Sequence, residues 1–316
     1  MKVLFIGAGP LGSLYAHMFQ QAGTDVTLLA RGDRYGWLEK NGLVLRNEMT
    51  GEEGHSTVNL LRAVAPTAEY DLAIVLIRKN KLPAVFDMLA PCHGIQSILF
   101  MGNNALGFDD YLKALPAEKL IFGFPGAGGG FREQVVHYAD RESPKGKRRA
   151  VTLGEIDGQQ SPRLQQAKAL FENAGVPVDI PSSIDGWLKY HVALVSPFVG
   201  ALYRHDCDNY ETARDRALVR SLVRAAKEGA SVLEVLGFGQ SEPSEFKLMK
   251  RLPEFMSVIA LRKMLGSKFA EVAFAMHALS ARDEMIELAA EFQTLVEQTS
   301  ISTPNIDSLR VSHRDF

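Results

Sequence analysis

The first 180 residues alternate short apolar runs with stretches of helical periodicity. A strand buried on both faces of a parallel sheet is apolar over roughly four to eight residues, and helices connect such strands. The alternation predicts a parallel, doubly wound sheet, and with no helix between residues 134–138 and 150–153 we expect an antiparallel edge there. The predicted strands comprise residues 2–6, 25–30, 43–45, 56–60, 70–77, 97–101, 120–124, 134–138, 150–153 and 176–180. The predicted helices between them comprise residues 11–21, 35–41 and 82–89 and a helix that ends at residue 115.

Beyond residue 180 the apolar positions follow helical spacing almost throughout. Ser280 with Asp283 three residues later resembles a capping box, which predicts that a helix begins at this serine. We therefore expect an α/β domain over residues 1–180 and an all-helical domain over residues 181–316. The predicted helices comprise residues 185–202, 213–236, 245–265, 268–279 and 280–298, with a short helix near residue 307.

Three glycines follow the first predicted strand directly and open the first predicted helix. Gly7, Gly9 and Gly12 form the pattern G-x-G-x-x-G, with Pro10 and Leu11 between the last two. The first glycine allows a sharp turn, the second lets a pyrophosphate approach the backbone, and the third lets the helix pack closely. The free N–H groups at the start of the helix favour an anion. Because strand, turn and helix follow in the required order, we predict a dinucleotide site rather than an ordinary glycine-rich turn.

The end of the second predicted strand indicates which dinucleotide is bound. NAD-specific proteins carry an acidic residue near this point, which accepts hydrogen bonds from the ribose 2′-hydroxyl. Arg31 stands there instead, with Arg34 close behind, and a guanidinium can pair with a 2′-phosphate through two parallel hydrogen bonds. Asp33 lies nearby and would oppose a phosphate. We predict NADPH rather than NADH as the cofactor; the alternative is that Arg31 is a solvated surface arginine.

Composition and charge narrow the classes of partner. The chain has 316 residues, of which 46% are hydrophobic and 23% charged, and its formal net charge is −2. This balance is typical of a globular protein with two domains. It argues against nucleic acid as a partner, because nucleic-acid-binding domains usually carry a basic face. The two cysteines have no paired spacing, and no apolar run is long enough to span a membrane. We expect a cytoplasmic protein, monomeric or homodimeric, without a metal site.

Four residues are candidates for chemistry or ligand binding. Lys189 lies in a helix that is otherwise nearly all apolar, so its ammonium either extends to water or faces a cleft, where it could protonate a carbonyl oxygen. Asn104 and Arg78 each follow a buried strand, at the sheet edge where α/β proteins bind ligands. Glu284 stands in the first turn of a helix, where the helix dipole stabilises a carboxylate. From the residues alone, a turn asparagine, a solvated arginine and a capping glutamate remain open interpretations.

The same residues resemble motifs of the ketopantoate reductases (2-dehydropantoate 2-reductases), and the resemblance covers most of the chain. Trp187-Leu188-Lys189 matches the W-x-K of that family, in which the lysine is the general acid. Glu284 stands 20 residues before Pro304, a spacing similar to that between the family's substrate-binding glutamate and its T-P. Further similar stretches are the G-x-G-x-x-G at residues 7–12 with Arg31, residues 104–107 for N-G-x-G, Arg78 where the family has a lysine near the cofactor, and residues 152–155 for T-x-x-G-E.

This resemblance implies a Rossmann-type α/β domain followed by an all-α substrate domain, and NADPH-dependent reduction of a small 2-keto acid. It makes 2-dehydropantoate the best candidate substrate, in the pathway to pantothenate and coenzyme A. Lys189 would protonate the carbonyl oxygen, Asn104 would orient the substrate and contact the cofactor, and Glu284 would accept a hydrogen bond from a substrate hydroxyl. The family carries amides four and eight residues after the lysine, where this chain has Ala193 and Pro197. The alternative hypotheses are a reductase of a different keto acid and a nucleotide-binding sensor without turnover.

Overall fold

Strands and helices alternate through the first half of the computed structural model, which describes residues 1–241 and 243–312. The chain divides into a first unit, Met1–Gly102 with Phe108–Ile184, and a second unit, Asn103–Gly107 with the residues from Asp185 onward. The strands of the first unit are β1 (Lys2–Ile6), β2 (Asp25–Leu29), β3 (Leu43–Asn47), β4 (Glu53–Ser56), β5 (Asn59–Leu61), β6 (Tyr70–Val75), β7 (Ile95–Met101), β8 (Leu120–Phe124), β9 (Gly128–Arg132), β10 (Val135–Ala139), β11 (Val151–Gly154) and β12 (Val178–Asp179). Its helices are α1 (Pro10–Gln21), α2 (Gly32–Asn41), α3 (Leu82–Leu89), α4 (Asp109–Ala114) and α5 (Pro162–Asn173).

The main sheet of the first unit has eight strands in the order β12-β11-β8-β7-β6-β1-β2-β5. From β8 to β5 every neighbouring pair is parallel, whereas β11 pairs antiparallel with β8. The predicted doubly wound, Rossmann-type sheet with an antiparallel edge is therefore confirmed. The carboxyl ends of β1, β2, β5, β6 and β7 meet at one edge of this sheet, which is where the glycine turn and the arginines described below lie.

A second sheet, of order β4-β3-β10-β9, corrects two of the predicted strands. Residues 134–138 do not form an edge of the main sheet, because β10 pairs with β9 and β3 instead. The segment predicted as one strand over residues 56–60 is split, since β4 pairs with β3 in the second sheet and β5 with β2 in the main sheet. The pattern also missed β9, whose glycines are unusual in strands; a Cβ at Gly129 would collide with the His137 carbonyl oxygen.

Aromatic packing between α1 and α5 forms part of the core of the first unit. Phe171 of α5 packs edge-to-face with Phe19 and Tyr15 of α1, at centroid distances of 4.9 and 5.6 Å. All three rings are at most 1% exposed, and rings of this size contribute strongly to core stability when buried. Helix α5 was not predicted, because its apolar positions are sparse; Ser161 caps it by accepting a hydrogen bond from the Leu164 N–H.

The second unit is helical from Asp185 onward, as predicted. Its core joins buried side chains of several helices around α8. No helix in the described ranges is long and apolar enough to cross a membrane. The helices are α6 (Ile184–Tyr203), α7 (Asn209–Arg214), α8 (Arg216–Val235), α9 (Ser244–Arg251), α10 (Glu254–Leu265), α11 (Lys268–Ala270), α12 (Met276–Ser280), α13 (Arg282–Val296) and α14 (Pro304–Leu309).

Three helices predicted as continuous are interrupted. Asp215 separates α7 from α8, and its carboxylate accepts a hydrogen bond from the Leu218 N–H, which caps the new helix. Pro253 separates α9 from α10, because proline lacks the N–H that a continuous helix needs. Residues 271–275 form a π-helical turn between α11 and α12.

The predicted capping box at Ser280 is wrong. Helix α13 follows Ala281, which has no side chain that could cap it. The Ser280 hydroxyl instead donates to the carbonyl oxygen of His277 in the preceding helix, so this serine terminates one helix rather than starting the next. Asp283 accepts a hydrogen bond from the Glu284 N–H, at 3.0 Å.

Candidate active site

The glycine turn after β1 requires glycine at two of its three positions. Gly7 has a φ of +115°, and a Cβ there would lie 2.5 Å from the carbonyl oxygen of Leu76. A Cβ at Gly12 would overlap the carbonyl oxygen of Gly7. The turn therefore folds back on the start of α1 and on the segment after β6. Only residues without a Cβ allow so close an approach.

Gly9 serves a different purpose, because no atom of the described residues lies within 4 Å of a Cβ built on it. It is the N-cap of α1, in extended conformation, and Pro10 follows as the first helical residue. No side chain within residues 1–241 and 243–312 caps this helix at the N–H groups of Leu11 and Gly12. A glycine backbone facing open space at an uncapped helix start fits the pyrophosphate of a dinucleotide.

Arg31 lies at the carboxyl end of β2, exposed, as the N-cap residue of α2. Its Nη2 is 3.4 Å from the Sδ atom of Met88 on α3. Asp33, which opposed a phosphate in the sequence, is exposed and forms no ion pair with Arg31 within 4.0 Å. The guanidinium thus keeps its charge available at the position where a ribose 2′-phosphate is expected.

Arg34 forms hydrogen bonds with the glycine turn itself. Its Nε donates to the carbonyl oxygen of Ala8 at 3.3 Å, its Nη2 to the Ser13 hydroxyl at 3.2 Å, and its Nη1 to the carbonyl oxygen of Gln134 at 2.7 Å. Burial lowers the pKa of Arg34 to about 10, which still leaves it charged at neutral pH. Arg34 therefore ties the turn to the hairpin between β9 and β10, and Arg31 is the more accessible of the two.

Arg62 is a second exposed arginine at the same sheet edge, and it was not among the residues predicted from the sequence. Leu61 pairs with Leu29 in the parallel ladder of β5 and β2, and the Ala30 N–H donates to the Leu61 carbonyl oxygen. Arg62 and Arg31 consequently leave neighbouring strands side by side. The Arg62 guanidinium stacks on the ring of Tyr35 on α2, 3.7 Å from its centroid. The signal that could have found it is an arginine directly after the strand next to β2.

Arg78 follows β6 at the same edge of the sheet, half-buried. Its carbonyl oxygen accepts a hydrogen bond from the Lys81 N–H, which closes a turn of 3₁₀-helix before α3. The predicted contact of Arg78 with a cofactor stays a prediction.

In the second unit, Lys189 is buried rather than extended to water. Its side chain is 6% exposed and forms an ion pair with Asp185, four residues earlier on α6. The ammonium also lies 4.8 Å from the centroid of the Phe238 ring. A Cβ at Gly107 would lie 3.8 Å from the Lys189 Nζ atom. Helical spacing places Asp185 and Lys189 on one face. This four-residue spacing is visible in the sequence, but Asp185 was not predicted as a site residue.

The segment Asn103–Gly107 packs in the second unit through two carboxylates of α13. Asn103 donates from its Nδ2 to Glu284 Oε1 at 3.3 Å, and the Ala105 N–H donates to Glu291 Oε2 at 3.2 Å. Both glutamates are buried. They stand seven residues apart, two helical turns on one face, and this spacing is the signal that could have revealed Glu291.

Asn104 closes the turn of this segment. Its Nδ2 donates to the carbonyl oxygen of Gly107 at 2.7 Å, and the side chain is buried. Asn104 thereby reaches the glycine that adjoins Lys189, while Asn103, not Asn104, reaches Glu284. Lys189, Asn104 and Glu284, predicted from three distant parts of the chain, belong to one unit.

Glu284 is the third residue of α13, and its second carboxylate oxygen lies 3.9 Å from His277 Nε2. The glutamate side chain is 5% exposed, whereas that of His277 is 39% exposed. Burial together with a side-chain amide donor distinguishes Glu284 from an ordinary carboxylate in the first turn of a helix.

Packing accounts for one of the residues in which α6 departs from the family pattern. Ala193 is fully buried, and a Cβ at Gly229 of α8 would lie 3.0 Å from the Ala193 Cβ. Two helices that approach this closely leave no room for an amide side chain at residue 193. Pro197, inside α6, carries no side-chain donor or acceptor.

Comparison with known proteins connects this geometry to one family. Residues 3–146 match a sequence model of the family described as ketopantoate reductase PanE/ApbA. A 2-dehydropantoate 2-reductase from Archaeoglobus fulgidus is 24% identical over 288 residues, 90% of this chain and 91% of that protein. The chain is thus similar to the ketopantoate reductases, as a divergent relative. The uncharacterized oxidoreductase YkpB from Bacillus subtilis is 25% identical over 192 residues, 60% of this chain and 61% of that protein, so that match spans less than two thirds of the relative.

Solved structures agree with the fold of a ketopantoate reductase. The crystal structure of the 2-dehydropantoate 2-reductase from Geobacter metallireducens GS-15 superimposes with a TM-score of 0.78 at 18% identity, and the match covers 98% of this chain and 97% of that one. Identity this low shows the fold alone. The family consists of NAD(P)H-dependent oxidoreductases, which agrees with the dinucleotide site that the glycine motif predicts. The roles of individual residues stay predictions.

Proposed function

We propose that this ketopantoate reductase relative reduces a small 2-keto acid with NADPH, and that 2-dehydropantoate, reduced to pantoate, is the best candidate substrate. The observation that carries the proposal is the buried Lys189 ammonium beside Gly107, in the same unit as Asn104 and Glu284. Reduction of a ketone requires a proton donor for the developing alkoxide. The corresponding pathway is the synthesis of pantothenate and coenzyme A, in the cytoplasm.

The glycine turn and the arginines beside it would hold the dinucleotide. Gly9 leaves the backbone open to a pyrophosphate, and Arg31 and Arg62 lie where a 2′-phosphate is expected. Among the described residues, neither guanidinium has a carboxylate within 4.0 Å. Two neighbouring unpaired positive charges favour an anion between them, which supports NADPH over NADH. The reduced nicotinamide, when bound, supplies the hydride.

Lys189 would donate the proton to the carbonyl oxygen of the substrate. Its ion pair with Asp185 stabilises the ammonium form in a site from which water is largely excluded, and the Phe238 ring adds a cation–π contact. Asp185, whose side chain is 26% exposed, is the more accessible partner. It would hold the lysine in one orientation, with the ammonium facing Gly107.

The substrate would be held by Asn104 and Glu284, the second of which accepts a hydrogen bond from a hydroxyl group. The buried Ala193 shows that α6 contributes no amide four residues after the lysine. In the proposed reaction, polar contacts to the substrate would come from the segment Asn103–Gly107 and from α13. This difference from the family pattern also motivates the second candidate function, an NADPH-binding sensor that has lost turnover.

The decisive experiment follows the loss of NADPH absorbance in the purified protein with 2-dehydropantoate and a panel of other 2-keto acids, and measures NADPH binding directly by calorimetry. Oxidation of NADPH that depends on 2-dehydropantoate supports the proposed reaction. Preference for another acid of the panel redirects the substrate assignment and keeps the reaction class. NADPH binding without oxidation by any acid favours the sensor.

A further inference from the structure

Asn103 holds a polar atom that its surroundings do not satisfy. The residue is 8% exposed, and its amide nitrogen donates to Glu284 Oε1. Its Oδ1 atom is buried and has no hydrogen-bond partner among the described residues. The orientation of the amide follows from chemistry, because a carboxylate only accepts hydrogen bonds and must face the NH₂ group.

An unsatisfied buried acceptor is costly, and folded proteins contain few of them. Leaving such a group without a partner destabilises a protein by about 1–3 kcal/mol. A leucine of similar volume would fill the same space without that cost. A polar group that persists under this penalty points to a ligand that completes its hydrogen bonds.

The neighbours of Asn103 point to the substrate as that ligand. Asn103 directly precedes Asn104, which reaches the Gly107 turn beside Lys189, and it contacts the carboxylate of Glu284. We propose that Asn103 is a specificity-determining residue, whose buried carbonyl oxygen, together with the Glu284 carboxylate it orients, binds the hydroxyl group of the substrate. This inference rests on the proposed function and deepens it, since it selects 2-keto acids that carry a hydroxyl group over those that do not.

The chemistry of the two groups explains the selectivity. The donated N–H fixes Glu284 Oε1, so the polar subsite presents the Asn103 carbonyl oxygen as an acceptor beside the Glu284 carboxylate. A hydroxyl group can donate a hydrogen bond to the Asn103 carbonyl oxygen, whereas a methyl group would leave this buried acceptor without a donor. Sites of this kind strongly reject analogues that lack the hydroxyl group.

The test compares kcat/KM for 2-dehydropantoate and for trimethylpyruvate, in which a methyl group replaces the hydroxymethyl group. The Asn103→Leu variant should lower the ratio of the two values at least tenfold, because only the hydroxylated acid loses its partner. Values for trimethylpyruvate and the dissociation constant of NADPH should change less than about twofold. Asn103→Ala provides the same comparison if the leucine variant does not fold.

Ser257 on α10 supplies a matched control. Its hydroxyl oxygen is also buried and unpartnered among the described residues, but no observation connects it with Lys189 or Glu284. Ser257→Ala should leave the ratio unchanged. Equal losses for both acids in the Asn103 variants would show a merely structural residue and overturn the inference, as would an unchanged ratio. A wild-type protein that reduces neither of these two acids would overturn the inference, and one that binds NADPH but reduces no acid of the panel would overturn the proposed function with it.

Discussion

At the scale of single residues, the environment of Lys189 makes it the most informative side chain to change. It is buried, paired with Asp185 and adjacent to Gly107. We expect Lys189→Ala to lower kcat by about a hundredfold or more, the usual contribution of a positioned proton donor. The dissociation constant of NADPH should hardly change, because the glycine turn and the arginines belong to the other unit. Steady-state kinetics and calorimetry measure the two quantities.

Lys268 provides the matched control for this prediction. It also forms an ion pair with a carboxylate of the second unit, Glu271, but its side chain is 40% exposed. Lys268→Ala should keep turnover within about twofold, since exposed ion pairs contribute little. Wild-type turnover in Lys189→Ala would show that the buried ammonium stabilises the helix without taking part in the reaction.

Arg31 carries the prediction for cofactor choice. The wild-type protein should bind NADPH at least tenfold more tightly than NADH, a difference of about 1.4 kcal/mol that one charge-assisted contact can supply. Arg31→Ala should remove most of this preference by weakening NADPH binding alone. Arg46→Ala, which removes an exposed arginine paired with Glu53 on the second sheet, serves as the control and should change neither constant. Equal affinities for the two cofactors in the wild type would refute the assignment.

The residues that the sequence could nominate are those with a local signature. Gly7, Gly12 and Lys189 are conspicuous because glycine spacing or a charge in an apolar helix marks them. Asn103 is not, because its significance arises from a contact with Glu284, 181 positions away. No local pattern distinguishes a turn asparagine that closes its own turn from one that reaches a distant glutamate.

At the scale of elements, the turn between β1 and α1 separates binding from folding. We expect Gly9→Val to abolish NADPH binding while the protein stays folded. In the part of the chain that the structure describes, nothing lies within 4 Å of the new Cβ, and φ at this residue is −70°. The branched side chain would fill the space that a pyrophosphate needs. Circular dichroism and calorimetry with NADPH test the two halves of this expectation.

Gly12→Ala is the contrasting variant on the same element. Its Cβ would overlap the carbonyl oxygen of Gly7, so this change should lower the thermal unfolding midpoint, unlike Gly9→Val. Unchanged NADPH affinity in a folded Gly9→Val protein would mean that the dinucleotide does not approach the turn at this glycine.

The elements also show which sequence patterns failed and why. Helical periodicity continues through residues 213–236, but Asp215 caps a new helix with its side chain, and a single polar residue is easily overlooked in an apolar pattern. Strand β9 was missed for the opposite reason, because its glycines carry no hydrophobic signal. At Gly129 a glycine is required because the His137 backbone approaches closely. The parallel strands of the main sheet were predicted because burial on both faces leaves continuous apolar runs.

At the scale of the whole molecule, the two units can be followed separately. The chain contains two tryptophans: Trp37 on α2 in the first unit and Trp187 on α6 in the second. In a Trp187→Phe background, tryptophan fluorescence therefore reports unfolding of the first unit alone. Such a reporter is needed because a chain with two units does not have to unfold in one step.

Asp140 makes the prediction for the stability of the first unit. Its carboxylate is 2% exposed and accepts hydrogen bonds from Asn47 on β3 at 3.0 Å, Arg141 at 2.9 Å and Arg148 at 2.6 Å. Burial by itself raises the pKa of Asp140, but the hydrogen bonds from Arg141, Asn47 and Arg148 hold the pKa below its ordinary value of 3.8. The charged form is thus favoured in the folded state, and Asp140 ties β3 to the segment between β10 and β11.

We expect Asp140→Asn to lower the free energy of unfolding of the first unit by about 3 kcal/mol at neutral pH, because it leaves buried arginine contacts without their carboxylate. Since the pKa is lower in the folded than in the unfolded state, the stabilisation by Asp140 is complete above the unfolded value and is lost as the pH falls through the folded value. The difference between wild type and variant should therefore shrink below about pH 4.

Urea unfolding followed by Trp37 fluorescence measures this difference. Asp110→Asn is the control, because Asp110 is 82% exposed and paired with Lys113. This variant should cost under about 0.5 kcal/mol. A difference that stays constant down to acidic pH would show that the charge of Asp140 does not stabilise the fold.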